Sequence, residues 1–473
     1  MLDLASYTPE HAQELDRLLH APAWRQTLDA GWLDRAAAGR IEPGQTRDYI
    51  STVVDQLLEF NEQKTRDRIA SGNTDRAELF RELSRWPEGL KGRNPVLSFL
   101  GLNVTAACNF EPKCIYCHQP WTDASVGLAG WKTLLEDVTA ANGRKGPYIY
   151  ITGGEPLLLG EDLWGDAGLV RFAVERGAAV NVNTNALLIT PEVALRLIRS
   201  GLAKLHISLD SPDRAVQNAL FGGDHFDRVL EGIYNVQIAR DLLGVAYPEI
   251  HTNCVLTNRN LDAFPDLFSF ILGKRKQLKD RRQPLFNDLF PHVIPVGGAA
   301  NDGIRPSEAE FRRFYEAVWP EVCRRWDRHQ EQLAIPESDR GVLFGYFSNP
   351  FLRVAHRGGL DAYAKASAEG LYGKLALPDY CYVAPTQASF TPDGRQYRCG
   401  SHAIRHIAPT GDLHETGVFE NIRRGTVGHD RFPTEQACAG CALATLYINQ
   451  AVGKKLMEKL DAMLATQTVS GAQ

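Results

Sequence analysis

The sequence predicts an α/β fold in which a parallel sheet curves into an incomplete barrel. Between residues 97 and 300, short apolar strands alternate with helical stretches, as in consecutive parallel βα units. Several of these strands carry a polar residue at every second position, which groups the polar side chains on one face. A buried parallel strand should be apolar on both faces, so a shared polar face indicates a polar interior such as a barrel lumen. An antiparallel sheet with one wet face is the alternative, and the intervening helices disfavour it.

The strands are short apolar runs, in order VLSFLGLNVT, PYIYITG, AAVNVNTN, AKLHISLD and EIHTNCVLT. Alternation along the last three places these polar side chains on the inner face: Asn181, Asn183, Asn185, His206, Ser208, Asp210, His251 and Asn253. The opposite face is apolar, as with Leu205, Ile207 and Leu209 of the fourth strand. We therefore expect the strands to surround a polar ligand.

The rest of the chain divides around this barrel. Apolar residues at three- and four-residue spacing predict a helical N-terminal extension over residues 1–95, followed by the barrel over 96–300. A helical connection is expected over 301–375, and short strands and turns over 376–448. The final segment, 449–473, is expected to complete a helix that ends near residue 465 and to close with a disordered tail.

Composition and charge narrow the class of protein. The 473 residues are 44% hydrophobic and 23% charged, as in an ordinary globular protein, and a net charge of −5 gives no support to nucleic-acid binding. The N-terminus lacks the basic start and apolar core of a secretory signal. No apolar stretch is long enough to span a bilayer, so we expect a cytoplasmic protein with no membrane partner.

The nine cysteines are unevenly placed. Seven fall into two groups: Cys108, Cys114 and Cys117, and then Cys381, Cys399, Cys438 and Cys441. In a reducing compartment, grouped cysteines indicate metal binding or catalysis rather than disulfides. The other two, Cys254 and Cys323, stand alone.

The first group lies in AACNFEPKCIYCHQPW, directly after a strand, with the spacing C-x5-C-x2-C. Three thiolates on one loop can hold three irons of a [4Fe–4S] cluster and leave the fourth iron open to a substrate or cofactor. The alternative is a zinc site in which His118 supplies the fourth ligand.

This loop resembles that of radical S-adenosylmethionine (SAM) enzymes, including the aromatic Tyr116 before the third cysteine. The usual spacing in that superfamily is C-x3-C-x2-C, and the two extra residues here are an insertion of low entropic cost. The resemblance implies a partial (β/α)6 TIM-like barrel whose catalytic cluster is held by Cys108, Cys114 and Cys117. It also implies SAM as cofactor, with Tyr116 among the residues that bind it, and an electron donor such as flavodoxin or ferredoxin.

A glycine motif follows the next strand: Gly153, Gly154, Glu155 and Pro156. It resembles the radical SAM GGEP motif, whose backbone and Glu hold the amino group of the methionine part of SAM. Glycine allows a close backbone approach without steric cost. The same resemblance implies that four polar residues at the next strand ends contact the ribose and carboxylate of SAM: Asn183, Asn185, Ser208 and Asp210.

The second group reads C-x12-G-x4-C from Cys381 through Gly394 to Cys399, followed by C-x2-C at Cys438 and Cys441. Four thiolates can complete a second [4Fe–4S] cluster with no open position, and a four-cysteine zinc site is the alternative. The arrangement resembles the twitch domain, a shortened SPASM extension of radical SAM enzymes. No cysteine follows Cys441, so one auxiliary cluster is expected.

Several polar residues are candidate substrate contacts: Tyr150, His206, His251 and Asn253. Cys254 could donate a hydrogen atom, as a cysteine does in radical SAM epimerases. Strand alternation instead places it on the helix side with Ile250 and Leu256, which favours a core residue. The basic run 273–282 is expected to be a solvated surface helix or loop.

Three functions stay open. The resemblance is closest to sugar- and cyclitol-dehydrogenating enzymes of aminoglycoside antibiotic pathways, so the leading hypothesis is dehydrogenation, dehydration or epimerisation of such a small molecule. The second is modification of a ribosomally made peptide, which the missing strand signals in the N-terminal region disfavour. The third is a non-catalytic metal-bound electron-transfer or structural protein. The N-terminal region either caps the barrel or forms a dimer interface.

Overall fold

The computed structural model describes residues 45–470 apart from 118, 120–121, 144–145, 244, 246, 274, 279–280, 285–287, 294–302, 333, 335, 338–358, 372–378, 429–437 and 442. Residues 1–44 of the predicted extension, and His118, therefore lie outside the described residues. So does much of the predicted connection over 301–375.

Its strands are β1 Phe99–Asn103, β2 Tyr148–Thr152, β3 Ala179–Thr184, β4 Lys204–Ser208, β5 Glu249–Leu256, β6 Arg275–Leu278, β7 Arg281–Pro284, β8 Asp288–Val293, β9 Gln387–Phe390, β10 Arg395–Tyr397 and β11 Gly411–Asp412. Its helices are α1 Gln45–Ala70, α2 Arg76–Leu83, α3 Gly127–Ala141, α4 Glu161–Trp164, α5 Leu169–Val174, α6 Pro191–Arg199, α7 Arg214–Phe221, α8 Phe226–Leu243, α9 Phe264–Gly273, α10 Glu308–Arg313, α11 Trp319–Gln332, α12 Gly359–Glu369, α13 Gly400–Ile404, α14 Val418–Thr426 and α15 Leu443–Ser470. A π-helical turn, Phe314–Val318, joins α10 to α11, and short 3₁₀ turns occupy Glu88–Gly92, Pro156–Leu159 and Ala384–Thr386.

One sheet runs through the molecule, and within the described residues its order is β11-β10-β9-β1-β2-β3-β4-β5-β8. From β1 to β5 and on to β8, each strand pairs in parallel with the next. Helices separate these six described strands along the chain, which confirms the predicted α/β fold with a partial six-stranded barrel.

The C-terminal cysteine region is joined to this sheet. Strand β9 pairs in parallel with the free edge of β1, and β10 and β11 continue the sheet in antiparallel fashion. The register places Gln387 opposite Phe99 and Ser389 opposite Gly101. The second cysteine group therefore lies beside the strand that leads into the first.

The outer face of the sheet forms the main core. On β1, Leu100 and Leu102 are fully buried while their neighbours are half-buried, and β2 and β4 repeat this alternation. Trp131 of α3 packs edge-on against Phe390 of β9, with ring centroids 6.1 Å apart. On β4 this agrees with the predicted division, since Leu205 and Ile207 are buried on one face and His206 and Ser208 are half-buried on the other.

The two ends of the described chain pack together. A small core between α1, α2 and α15 contains Ile69, Leu79, Leu83, Leu460 and Met463. The helical character predicted for the extension is confirmed from Gln45 onward, and the last helix runs to Ser470, beyond the predicted end.

The structure of the basic run 273–282 differs from the predicted surface helix or loop. Its described part forms strands β6 and β7, which pair as an antiparallel hairpin, rather than a helix or loop. The hairpin pairs the backbone amides of the run with each other, and this local pairing replaces the helix.

No helix among the described residues is both long and apolar enough to cross a membrane.

Candidate active site

The first cysteine loop is attached to the end of β2 through backbone hydrogen bonds. Gly154 N–H donates to Thr105 O and Glu155 N–H donates to Ala107 O, each at 2.8 Å. A Cβ at Gly154 would overlap the Ala107 carbonyl, and Gly153 has φ of +153°. The close approach that requires glycine is therefore made by the cysteine loop itself.

Glu155 fixes the same loop to the next strand. Its buried carboxylate accepts hydrogen bonds from Leu157 N–H at 2.9 Å, Thr184 Oγ1–H at 2.8 Å and Asn185 N–H at 2.7 Å. Burial raises the pKa of Glu155 to about 7, although these three donors oppose the rise. In this structure Glu155 ties the end of β2 to the end of β3, and its expected contact with SAM stays a prediction.

Asn185 continues the connection. Its side-chain amide donates to Asn109 Oδ1 at 2.7 Å and lies 4.0 Å from Cys108 Sγ. Asn183 points to the next strands instead, where its Oδ1 accepts from Asn253 Nδ2 at 2.7 Å. The two asparagines predicted as SAM contacts therefore have different surroundings, and only Asn185 touches the cysteine loop in the described residues.

Tyr116 and Asp210 meet across the loop. The phenol donates to Asp210 Oδ2 at 2.6 Å, and Val255 N–H donates to Asp210 Oδ1 at 2.7 Å. Burial raises the pKa of Asp210 to about 7 and that of Tyr116 above its usual value. Both side chains, expected to contact SAM, hold the cysteine loop to the ends of β4 and β5 in this structure.

The three thiols share this environment. All are half-buried and free. Burial raises the pKa of Cys114, and nearby negative charge on Asp210, Cys117 and Cys108 raises it further. The loop backbone is held by Ile115 N–H donating to Leu220 O at 3.0 Å and Cys117 N–H donating to Cys114 O at 2.9 Å. Three adjacent, partly exposed thiols on one loop fit the donor set of an iron–sulfur cluster with an open iron.

Sequence reasoning missed several residues that support this loop. Gln217 Oε1 accepts hydrogen bonds from the backbone N–H groups of Asp210 and Ser211, each at 2.8 Å, and Asn260 Nδ2 donates to Asp210 O at 2.9 Å.

Asn103 Oδ1, at the end of β1 beside Gly153, is buried and has no hydrogen-bond partner within the described residues. Asn103 is a polar residue at the end of β1, on the face opposite the buried Leu100 and Leu102, and this position was the available signal. A buried acceptor at this position fits a ligand that brings a donor.

The four candidate substrate residues lie together on the inner face. His206 Nδ1 is 3.1 Å from Asn253 Oδ1, the rings of His206 and His251 stack at 5.1 Å, and Tyr150 meets His206 edge-on at 5.8 Å. Ser208 pairs with Asn253 in register. The inner face therefore presents a connected set of hydrogen-bonding groups.

A charged pair lies near the start of the same strands. Lys204 Nζ and His251 Nε2 approach Glu249 Oε2 at 3.1 and 3.3 Å. Burial opposes ionisation of Glu249, but the bonds to His251 and Lys204 outweigh it and lower the pKa to about 2. Burial lowers the pKa of His251, which favours the neutral ring.

The four C-terminal cysteines also converge. Cys381 precedes β9, Cys399 caps α13, and Cys438 and Cys441 precede α15. Burial raises the pKa of Cys441, and the charges of the other three thiols raise it further, so the four lie within electrostatic reach of each other. Elements far apart in the chain bring these four thiols to one region of the fold, and four thiolates are the donor set of a fully ligated cluster.

Polar groups surround these thiols. His402 Nε2 lies 3.9 Å from Cys438 Sγ, and Asn449 Nδ2 lies 3.9 Å from Cys381 Sγ. Burial, with Arg398 and Arg405 nearby, lowers the pKa of His402 to about 4.

Within the described residues, no group of three or more His, Cys, Asp or Glu side chains is arranged to hold a single metal ion.

Cys254 is fully buried, as strand alternation predicted for a core residue. Its Sγ lies 3.6 Å from Asp210 O and 3.7 Å from Asn260 Nδ2. Burial raises the pKa of this thiol. Cys323 is half-buried against the main core. Both lone cysteines therefore lie outside the two cysteine groups.

Residues 102–269 match the model of the Radical SAM superfamily, so this stretch of the chain is a radical SAM domain. It is 29% identical over 187 residues to an AdoMet-dependent heme synthase of Nitratidesulfovibrio vulgaris, covering 38% of this chain and 47% of the relative. It is 24% identical over 297 residues to the mycofactocin maturase MftC of Mycolicibacterium smegmatis, covering 62% of each. The chain therefore spans about half to three fifths of the length of these curated relatives.

Among solved structures, Streptococcus suis SuiB bound to its precursor peptide SuiA is similar, with a TM-score of 0.49 and 16% identity. That similarity covers 75% of this chain and 72% of SuiB.

Proposed function

We propose that this chain is a radical SAM enzyme with one catalytic and one auxiliary [4Fe–4S] cluster. Cys108, Cys114 and Cys117 would hold the catalytic cluster. When bound, that cluster and SAM together supply a 5′-deoxyadenosyl radical that removes a hydrogen atom from the substrate. Flavodoxin or ferredoxin is the class of electron donor we expect.

The observation that carries this proposal is the way three strand ends hold the cysteine loop. Gly154 and Glu155 bind its backbone from β2, Asn185 binds it from β3, and Asp210 binds Tyr116 from β4. Hydrogen bonds from three strand ends thus fix the shape of the loop, which suits a site that must position a reactive group accurately. The contacts of SAM would then fall to the remaining polar atoms at this edge, including Asn103 Oδ1.

The auxiliary cluster is proposed from the second thiol set. Cys381, Cys399, Cys438 and Cys441 supply four ligands and leave no iron open, so the cluster would carry electrons or stabilise the fold rather than bind substrate. Its position at the edge of β9 is next to β1, whose other end leads to the catalytic loop. An electron removed from the substrate could therefore leave toward this side of the sheet.

A polar small molecule, such as a sugar or aminoglycoside, is the substrate class that the inner face supports. Tyr150, His206, His251 and Asn253 present hydrogen-bonding groups, which match hydroxyl and amine substituents. Their part would be to orient one C–H bond and to exclude water. Dehydrogenation, dehydration and epimerisation all begin with the same hydrogen abstraction.

A peptide substrate is the second candidate. The relative that covers 62% of this chain is named a maturase, and this similarity supports peptide modification. The same hydrogen-bonding groups can bind peptide amides. The two candidates separate by binding, since a maturase would bind its precursor peptide whether or not SAM is present.

The test is anaerobic reconstitution with iron and sulfide, followed by measurement of iron content and of 5′-deoxyadenosine formed from SAM under dithionite. We expect about eight irons in the intact protein and about four in a Cys108/Cys114/Cys117→Ala variant, which should form no product. Cys323→Ala is the matched control and should behave as the intact protein. Zinc in place of iron, or no SAM cleavage by the intact protein, would refute the proposal and favour a non-catalytic metal protein.

Substrate class is then tested by substrate-dependent stimulation of 5′-deoxyadenosine formation. One panel contains sugars, aminocyclitols and aminoglycosides, and the other contains precursor peptides. If sugars, aminocyclitols or aminoglycosides stimulate 5′-deoxyadenosine formation and no precursor peptide binds, the small-molecule hypothesis is supported. If a precursor peptide binds and stimulates the reaction and the small molecules do not, the maturase hypothesis is supported.

A further inference from the structure

Cys381 lies in a turn that is held from both sides by helical segments outside the barrel. Trp86, which follows α2, donates from its backbone N–H to Tyr380 Oη at 3.0 Å and from its indole Nε1–H to Tyr382 O at 2.8 Å. Asn449, in α15, accepts from Tyr382 N–H at 2.6 Å. The residues on each side of Cys381 are thus fixed by both ends of the described chain.

Asn449 also reaches the cysteine itself. Its Nδ2 lies 3.9 Å from Cys381 Sγ and donates to Thr445 O at 2.8 Å. Because Oδ1 must accept the Tyr382 N–H, the orientation of the amide is determined, and the N–H groups necessarily face the sulfur side. Asn449 is 1% exposed, so water does not compete for these bonds.

The helical segments are themselves joined beside this turn. Trp86 is buried and packs edge-on against Phe60 of α1 at 6.0 Å, and Tyr49 Oη of α1 lies 3.1 Å from Thr386 Oγ1, just past Cys381. Lys455 of α15 lies 3.0 Å from Ser51 of α1. The described part of the N-terminal extension therefore forms one unit with the C-terminal helix around the auxiliary cysteines.

We propose that Trp86 and Asn449 are positioning residues of the auxiliary cluster, with Trp86 fixing the Cys381 turn and Asn449 donating an N–H···S hydrogen bond to the Cys381 thiolate. This inference rests on the proposed function, because it requires the second cluster. A hydrogen bond to a ligating sulfur stabilises the more negative, reduced cluster and raises its reduction potential. The N-terminal helical region thereby acquires a role: it is part of the auxiliary site.

The test uses the full-length Cys108/Cys114/Cys117→Ala protein, in which the auxiliary cluster is the one expected to remain. Two substitutions of Asn449 are made in this protein. Asn449→Leu removes the N–H donor. Asn449→Asp keeps an acceptor for Tyr382 N–H but removes the donor and adds negative charge. Trp86→Phe removes the indole bond and keeps an aromatic ring. Trp131→Phe, at a buried tryptophan on the outer face of the barrel, is the matched control.

Two quantities are measured: the midpoint potential in a redox titration followed by electron paramagnetic resonance, and the rate of iron loss to a chelator. We expect the potential to fall in Asn449→Leu and to fall further in Asn449→Asp. We expect iron loss to quicken about tenfold in Trp86→Phe, in line with the usual effect of removing a support for a metal ligand. Trp131→Phe should match the parent in both quantities.

The outcomes separate the two proposals. A parent protein that holds no cluster refutes the auxiliary cluster itself. A parent with about four irons, but with potential and iron loss unchanged in the Asn449 and Trp86 variants, overturns the positioning roles alone. An unchanged potential in Asn449→Asp with faster iron loss in Trp86→Phe would overturn the N–H···S bond and leave only the Trp86 role.

Discussion

The phenol of Tyr116 donates a 2.6 Å hydrogen bond to the carboxylate of Asp210, which is buried at the end of β4. The bond joins the cysteine loop to a strand that lies more than ninety residues further along the chain. Asp210 is in turn held by Val255 N–H, and its backbone is held by Gln217 and Asn260. The cysteine loop is therefore braced by a buried network, and this bracing leads to the first prediction.

Tyr116→Phe should destabilise the protein by about 1–3 kcal/mol, because it leaves a buried carboxylate oxygen without its donor. Asp210→Asn should cost a similar amount. In a double-mutant cycle followed by urea unfolding, the two changes should be strongly non-additive, since they remove the same bond. Simple additivity would show that the Tyr116–Asp210 bond contributes nothing.

Gly154→Ala should prevent the cysteine loop from lying against β2. The added Cβ would overlap the Ala107 carbonyl, so the loop must shift, and both the melting temperature and the iron bound by the first cysteine group should fall. Gly417→Ala is the control, because no atom lies within 4 Å of its Cβ position and its φ is −68°. Equal behaviour of the two variants in thermal melting and iron analysis would contradict the prediction.

Glu155 should make the protein without cofactors less stable as pH rises. Its pKa is about 7 in the folded state against 4.5 ordinarily, so the folded state binds the proton more tightly. The stabilisation is complete below pH 4.5 and is lost as pH approaches and passes 7, in all about 3 kcal/mol of unfolding free energy. Asp210, with a pKa also raised to about 7, acts in the same direction.

The check is the free energy of unfolding of wild type and Glu155→Gln, measured from pH 5 to pH 8. Glu155→Gln should be less stable at pH 5, because its amide N–H groups cannot accept the bonds that the carboxyl accepts. Its stability should nevertheless depend less on pH. A variant with the same pH slope as wild type would show that Glu155 does not titrate in this range.

Buried polar contacts in the helical extension should contribute more to the free energy of unfolding than exposed ones. Asn61 donates to Leu83 O at 3.1 Å and Arg85 O at 2.8 Å and is largely buried, so Asn61→Ala should cost about 2 kcal/mol. Arg76 makes two bonds to Asp461, but both side chains are about half exposed, so Arg76→Ala should cost less than about 1 kcal/mol. Urea unfolding of both variants decides the order, and a larger loss in Arg76→Ala would reverse it.

Much of the barrel could be read from local pattern. Alternation along LHISL predicts which side chains face the helices and which face inward, because a strand has a two-residue period whatever surrounds it. The same alternation correctly placed Cys254 in the core. The close spacing of Cys108, Cys114 and Cys117 likewise indicated one site, because ligands that lie close in sequence must lie close in space.

Hydrogen-bond partners that lie far apart in sequence could not be predicted from local pattern. Glu155 and Asp210 are acidic residues in suggestive positions, yet in the structure their carboxylates accept bonds from Thr184, Asn185, Tyr116 and Val255. A local pattern states that a polar side chain faces inward. Which donor it meets depends on how strands from different parts of the chain are set side by side.

The sequence by itself determined the parallel α/β barrel, the two cysteine groups and the glycine motif beside the first of them, since each is encoded in a short stretch of chain. Only the tertiary structure decided that β9 joins the barrel at β1, that Trp86 and Asn449 meet at Cys381, and that the cysteine loop is braced by Asp210. The physical reason is that burial favours the pairing of polar groups with the partners the fold brings to them, and those partners have no fixed distance along the chain.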